Sequence, residues 1–227
     1  MAATTTLDYD DLPALLTELT GDEKHDHSAL STLDVLWVLY DRVLRLDPRS
    51  ADDPERDRFL LSKGHGPAAY YAVLAAKGFI DTDRLSGFGA FDSPLGYHPD
   101  RLLVPGVEIS SGSLGHGLPI AVGTTLGLQA RGRARARVFC LVGDAELDEG
   151  SNWEAAQLAG RLGLGRLMAV VVDNRSSTYH WPGGIATRFE LEGWSAETVD
   201  GRDHDALERA LTTTGERPHA VIAEVER

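Results

Sequence analysis

The hydrophobic positions of this chain change period several times, and the changes mark out alternating strands and helices. Two short apolar runs are the clearest: Arg137–Val142, ending in Gly143–Asp144, and Leu167–Val172, ending in Asp173–Asn174. Continuous apolar runs of this length, bounded by turn residues, fit strands buried on both faces. Between them Ser151, Trp153, Ala156, Leu158 and Gly160 carry a helical pattern. Parallel strands joined by a helix send their outgoing turns to the same sheet edge, and open α/β sheets bind ligands there. Asp144 and Asn174, thirty positions apart, are therefore expected to be neighbours in space.

The rest of the chain follows the same alternation. Leu12, Leu15, Leu16 and Leu19 give a weak helical pattern. Residues 1–20 are expected to form an N-terminal arm, frayed or docked on a partner, ahead of one domain over 21–227. Leu30, Leu33, Leu36, Trp37, Tyr40 and Leu44 fall at helical spacing, and Pro48 with the charged stretch Arg49–Asp57 ends that helix. Phe59–Leu61 reads as a strand, Ser62–Pro67 as a tight turn, and Ala68–Lys77 as a helix stopped by Gly78. Residues 79–106 are irregular and rich in Gly, Pro and aromatics, with a short helix expected near Asp83–Phe88. A loop of that length in a compact domain is usually functional. Ser110–Gly117 is a second glycine-rich turn. It leads into a helix over Leu118–Gln129, with Pro119 tolerated in the first turn. Gly117, Ala121, Gly123 and Gly127 give that helix little bulk, so another helix is expected to approach it closely. Ala196–Val199 and Ala220–Val225 complete the strands, and Asp203 caps a helix over His204–Leu211. The alternation predicts an α/β fold, a mainly parallel sheet covered by helices on both faces.

Composition narrows the function. The chain has 227 residues, enough for one large domain, with 42% hydrophobic and 25% charged residues. A net charge of −13 argues against nonspecific nucleic-acid binding and against an anionic membrane surface. The single Cys140 excludes an internal disulfide, sits in an apolar strand as an inert thiol, and suits a reducing, cytoplasmic compartment. No secretion signal stands at the start, and no apolar run approaches about 18 residues, the length of a membrane span.

A carboxylate and an amide oxygen at one sheet edge, with a carbonyl or two, make a hard-oxygen site for Mg²⁺ or Ca²⁺. Mg²⁺ keeps positions open for phosphate oxygens. On an acidic chain a phosphorylated cofactor would have to be held locally, by metal and backbone N–H groups. As bare residues, Asp144 and Asn174 could equally end a strand and make a turn.

Four segments decide between these readings: HDHSALSTLDVLWVLY, LSKGHGPAAYYAVLAAKG, GYHPDRLLVPGVEISSGSLGHGLPIAVG and GDAELDEGSNWEA. In that order, and with Asn174 about thirty residues after the last Gly-Asp, they resemble the transketolases, especially split, two-subunit relatives. The resemblance covers roughly residues 20–227. It implies the three-layer α/β/α thiamine-diphosphate-binding fold, thiamine diphosphate as cofactor, and Mg²⁺ or Ca²⁺ held by Asp144, Asn174 and the backbone carbonyl of Ser176. It places Gly143 and Ala145 at the diphosphate, with Ala145 standing where the family usually has glycine. Leu114 and Gly115 would contact the aminopyrimidine. His65 would lie near the diphosphate, and His25 and His98 at the donor sugar. His116 would lie near the reacting carbon, where an imidazole suits proton transfer. Any one of these histidines alone would more often be a surface or satisfied core residue, and His180, His204 and His219 are read that way. Glu149 and Glu154 match a proton relay at the subunit interface. For Glu154 a capping box with Ser151 as N-cap is the favoured alternative. Asp26–His27–Ser28 replace two small glycines and would reshape the substrate mouth.

The resemblance implies transfer of a two-carbon ketol unit from a ketose, free or phosphorylated, to an acceptor. The chain stops at Arg227 without a second α/β domain, so an obligate C-terminal, pyrimidine-binding partner in an α₂β₂ assembly is expected. Two other readings stay open. One is a pyruvate-dehydrogenase-type component delivering an acyl unit to a lipoyl or carrier-protein thiol. The other is a noncatalytic scaffold, for which Ala145 and Arg175 speak.

Overall fold

A computed structural model describes residues 7–19, 30–65, 67–178 and 181–225. Its frame is a five-stranded, wholly parallel sheet: β1 (Arg58–Leu61), β2 (Val138–Gly143), β3 (Leu167–Asp173), β4 (Ser195–Asp200) and β5 (His219–Glu224), in the order β1-β2-β3-β5-β4. Seven α-helices are described: α1 (Leu12–Glu18), α2 (Leu33–Val38, continued as a π turn over Leu39–Val43), α3 (Ala68–Ala76), α4 (Gly117–Ala130), α5 (Gly150–Leu162), α6 (Gly184–Leu191) and α7 (His204–Leu211). The fold is the expected α/β one.

The central strands are buried on both faces, which explains their unbroken apolar runs. Phe139, Leu141, Val170, Val172, Val221 and Ala223 face the core shared with α2, α3 and α7. Cys140, Val142, Ala169, Val171, Ala220 and Ile222 face a second core with Leu118, Ala156, Phe189 and Trp194. These two cores make the three layers. Burial raises the Cys140 thiol well above its ordinary range, so it stays a protonated, apolar side chain.

Three expectations change in detail. The arm over residues 7–19 docks on its own domain: Leu12 is fully buried against the core that holds α3. Burying that side chain stabilises the docked arm by roughly 2 kcal/mol. The capping box at Ser151 does not form. Helix α5 begins at Gly150 behind Glu149, with no side-chain cap, and Ser151 Oγ instead donates to the carbonyl of Gly115 at 2.7 Å. Helix α6 was not expected at all. Its apolar signal is little more than Ile185 and Phe189, and two positive-φ glycines, Gly183 and Gly184, open it.

Candidate active site at the carboxyl edge of the sheet

Because all five strands run parallel, the turns after β1, β2 and β3 leave from one edge. Gly143 lies in register with Val172, and the Asp144 N–H donates to the Val172 carbonyl at 3.1 Å. The two candidate ligands therefore leave adjacent strand tips. Asp144 is 1% exposed. Its Oδ1 accepts from Ser176 Oγ at 2.7 Å, and its Oδ2 accepts from the Ser177 N–H at 2.9 Å. Asn174 Oδ1 is buried and has no hydrogen-bond partner among the described residues. A buried amide oxygen with nothing donating to it is costly and is the group a cation would satisfy. Asp148 steadies the same loop, accepting from Ser177 Oγ at 2.8 Å and from the Thr178 N–H at 3.2 Å.

The two glycine-rich turns close over these tips. His65, in the turn after β1, stands edge-on to His98, with ring centroids 5.1 Å apart. Gly112 lets His98 in: a Cβ there would lie 2.4 Å from His98 Cδ2. The turn Ser113–Gly117 is tied to the strands through a carboxylate that sequence reasoning missed. Glu146, 1% exposed, accepts from Ser62 Oγ, from the Gly115 N–H at 2.9 Å and from the Gly143 N–H at 3.3 Å. Ser62 Oγ in turn accepts from the Gly117 N–H at 2.9 Å. Burial pushes the Glu146 carboxyl above its ordinary value, although hydrogen bonds from Ser62, Gly115 and Gly143 and the nearby Lys63 pull the other way. Lys63 is buried beside them. Burial lowers its ammonium to about 8, against the raising influence of Asp144 and Glu146. Its Nζ donates to Ser31 Oγ at 2.9 Å. The only trace of this network in the sequence is charged residues inside the turns SKGHG and GDAELDEG.

Residues 19–223 match the family described as transketolase, thiamine diphosphate binding domain. The chain belongs to the transketolase family. Over 209 residues it is 38% identical to one subunit of the apulose-4-phosphate transketolase of Actinobacillus succinogenes, a match that covers 88% of this chain and 75% of that protein. It is 53% identical over 224 residues to a Rhodococcoides fascians protein named ferredoxin fas2, covering 98% of this chain and 74% of that one. Among solved structures, the transketolase of Campylobacter jejuni superposes with a TM-score of 0.78 at 25% identity, over 96% of this chain. This chain spans 38% of that transketolase's length.

Within this transketolase domain the expected residues largely converge. Gly143, Asp144, Ala145, Asn174 and Ser176 share two adjacent strand tips. Leu114, Gly115 and His116 lie in the turn that Glu146 holds to them, with His116 exposed at the start of α4. Glu149 is also close: a Cβ on Gly115 would come within 2.7 Å of Glu149 Cβ. Glu154 is exposed on α5. Ala145 needs no glycine-like backbone, since Arg175 is the one non-glycine with positive φ among the described residues. His25, Asp26–Ser28 and His180 lie outside the described residues. Of the histidines read as bland, His204 Nε2 pairs with Asp34 Oδ1 at 2.8 Å. His219 is buried, with Nδ1 2.9 Å from Ser195 Oγ and Nε2 unpartnered.

Proposed function

We propose that this chain is the diphosphate-binding half of a transketolase that moves a two-carbon ketol unit from a ketose, or ketose phosphate, to an acceptor. In this reading thiamine diphosphate supplies the carbanion chemistry when bound. Asp144, the Asn174 amide oxygen and the Ser176 carbonyl hold Mg²⁺ or Ca²⁺, a hard-oxygen set suited to either ion. The observation that carries the reading is the buried, unpartnered Asn174 Oδ1 on the strand tip beside Asp144.

The other groups have roles that follow from their places. Gly143 and Gly115 lack the Cβ that would crowd Lys63 and Glu149, which lets those side chains pack against the two turns at the diphosphate. His65, its ring edge-on to that of His98, lies by the diphosphate, and His98 with His25 orients donor hydroxyls. His116, solvent-exposed at the head of α4, is the candidate to hand a proton to or from the reacting carbon. Glu149, packed at Gly115, takes the relay role, with Glu154 as its second candidate member. A separate C-terminal subunit supplies the pyrimidine-side pocket in an α₂β₂ assembly in the cytoplasm. The Actinobacillus succinogenes relative, itself named as one subunit of a transketolase, supports a separate partner.

Calorimetry with thiamine diphosphate and Mg²⁺ tests the reading. Heat that requires Mg²⁺ is expected, with Asp144→Ala and Asn174→Ala each weakening metal binding by at least about tenfold. Absence of heat, with the partner present, would favour the scaffold. With the partner present, ketol transfer from a ketose to an aldose is expected. Acylation of a carrier-protein thiol instead would select the pyruvate-dehydrogenase-type alternative.

A further inference from the structure

Beside the Asp144 tip lies a cavity of about 300 Å³, walled by Asp144, Asp173, Arg175, Ser177, Trp181, Gly184 and Ile185. Two carboxylates on its wall, in a chain of net charge −13, would repel an anion unless cationic groups and N–H donors offset them. The loop after β3 carries two such groups that are not used elsewhere in the fold. The Trp181 indole Nε1–H is buried and donates to nothing among the described residues. The Arg175 guanidinium has no hydrogen bond or ion pair among the described residues. Neither arrangement comes free. A buried donor without a partner is destabilising. Arg175 also sits at φ 57, in the left-handed region, its N–H anchored to Asp173 Oδ1 at 3.0 Å. Such backbone outliers concentrate at ligand sites.

Trp181 is held firmly from its other sides. Its ring meets Trp153 edge-on at 5.0 Å, and the Arg188 guanidinium lies 5.4 Å from its centroid. Trp153 differs in that its own Nε1–H is satisfied by the Leu147 carbonyl at 2.7 Å.

We propose that Trp181 and Arg175 are further ligand-binding residues, donating to phosphate oxygens of the metal-bound diphosphate held at Asp144. This rests on the reading of the site as a metal-diphosphate site and adds two donors to it. A tryptophan N–H is a donor only, and a guanidinium is a fixed fork of donors. Both therefore suit an all-acceptor phosphate. A hydrogen bond to a charged group contributes about 1.5–3 kcal/mol, so losing either donor should weaken binding about tenfold or more.

The test uses the full 227-residue chain with magnesium and inorganic pyrophosphate, read by calorimetry without any turnover. Trp181→Phe keeps an aromatic ring beside Trp153 but removes the N–H together with part of the indole, so its thermal midpoint is read alongside its affinity to separate lost packing from the lost donor. Arg175→Gly removes the cation and also relieves the backbone. We expect both to bind magnesium pyrophosphate about tenfold more weakly. Arg175→Gly should at the same time hold or raise the thermal midpoint, which a purely structural role for Arg175 would lower. Wild-type affinity in both variants, with Asp144→Ala still abolishing binding, would overturn this inference alone. No magnesium pyrophosphate binding by the wild type would overturn the reading beneath it.

Discussion

Gly117 shows how closely single residues are fitted at this edge. A Cβ there would lie 2.2 Å from Ser62 Cβ and 2.8 Å from Ser62 Cα. Ser62 cannot withdraw easily, since its hydroxyl accepts from the Gly117 N–H and donates to Glu146. Gly117→Ala is expected to cost about 1–3 kcal/mol, the usual range for overpacking a core. A urea titration reads this directly, and an unchanged midpoint would refute the fit. At this scale the sequence was partly legible. Asp144 and Asn174 could be paired because strand periodicity and parallel topology dictate where a turn emerges. Glu146, Ser62 and Lys63 could not, because a buried carboxylate held by three donors leaves no periodic signature. Only the turns that bring its donors together reveal it. Trp181 was hidden for a similar reason, since its unspent N–H is visible only once the neighbours of the ring are known.

At the scale of elements, the strongly periodic segments were readable and the short or glycine-opened ones were not. Helix α7 matches its expectation end to end, because Asp203 caps it through the N–H groups of Asp205 and Ala206. Helix α6 escaped because eight residues with two apolar anchors give little periodicity to read. The Ser151 box failed because a tertiary acceptor, the Gly115 carbonyl, took the hydroxyl that local sequence assigns to a cap. The bare face expected on α4 also divides in two. Gly117 and Ala121 are buried, whereas added methyls at Gly123 and Gly127 would meet nothing within 4 Å. The expected helix neighbour of α4 is α5, and a further close approach falls on α5 itself, where a Cβ on Gly160 would lie 1.8 Å from the Glu192 carbonyl oxygen. The two helical glycines should therefore respond oppositely in the isolated chain. Gly160→Ala should destabilise by about 1–3 kcal/mol, and Gly123→Ala should stabilise by about 0.5–1 kcal/mol. Two denaturant midpoints moving in the same direction would contradict this assignment of contacts.

Across the whole molecule, the two edges of the sheet divide the labour. The carboxyl edge gathers the candidate ligands, and the amino edge is fastened by a buried acid. Asp57, fully buried, accepts from the Arg137 side chain at 2.5 Å and the Arg45 side chain at 2.7 Å, and from both of their backbone N–H groups. Burial by itself would raise the Asp57 carboxyl. The hydrogen bonds from Arg137 and Arg45 outweigh it and hold the group below its ordinary 3.8. A carboxyl depressed in the folded state contributes stability that is complete above 3.8 and disappears as pH falls through the folded value. Asp57→Asn removes that contribution and leaves two arginines facing a neutral amide. Breaking a buried pair in this way costs about 3 kcal/mol, towards the low end for such pairs because Arg45 is 42% exposed and partly solvated. The variant should therefore be less stable than the wild type at pH 7, and the gap should narrow steadily below pH 4. Its magnesium pyrophosphate affinity should stay unchanged, because Asp57 stands at the opposite end of the strands from Asp144. Chemical denaturation from pH 7 to pH 3 measures the first effect and calorimetry the second. A gap constant with pH would show that the arginines do not hold the charge, and a loss of affinity would show that the two edges are coupled through the strands.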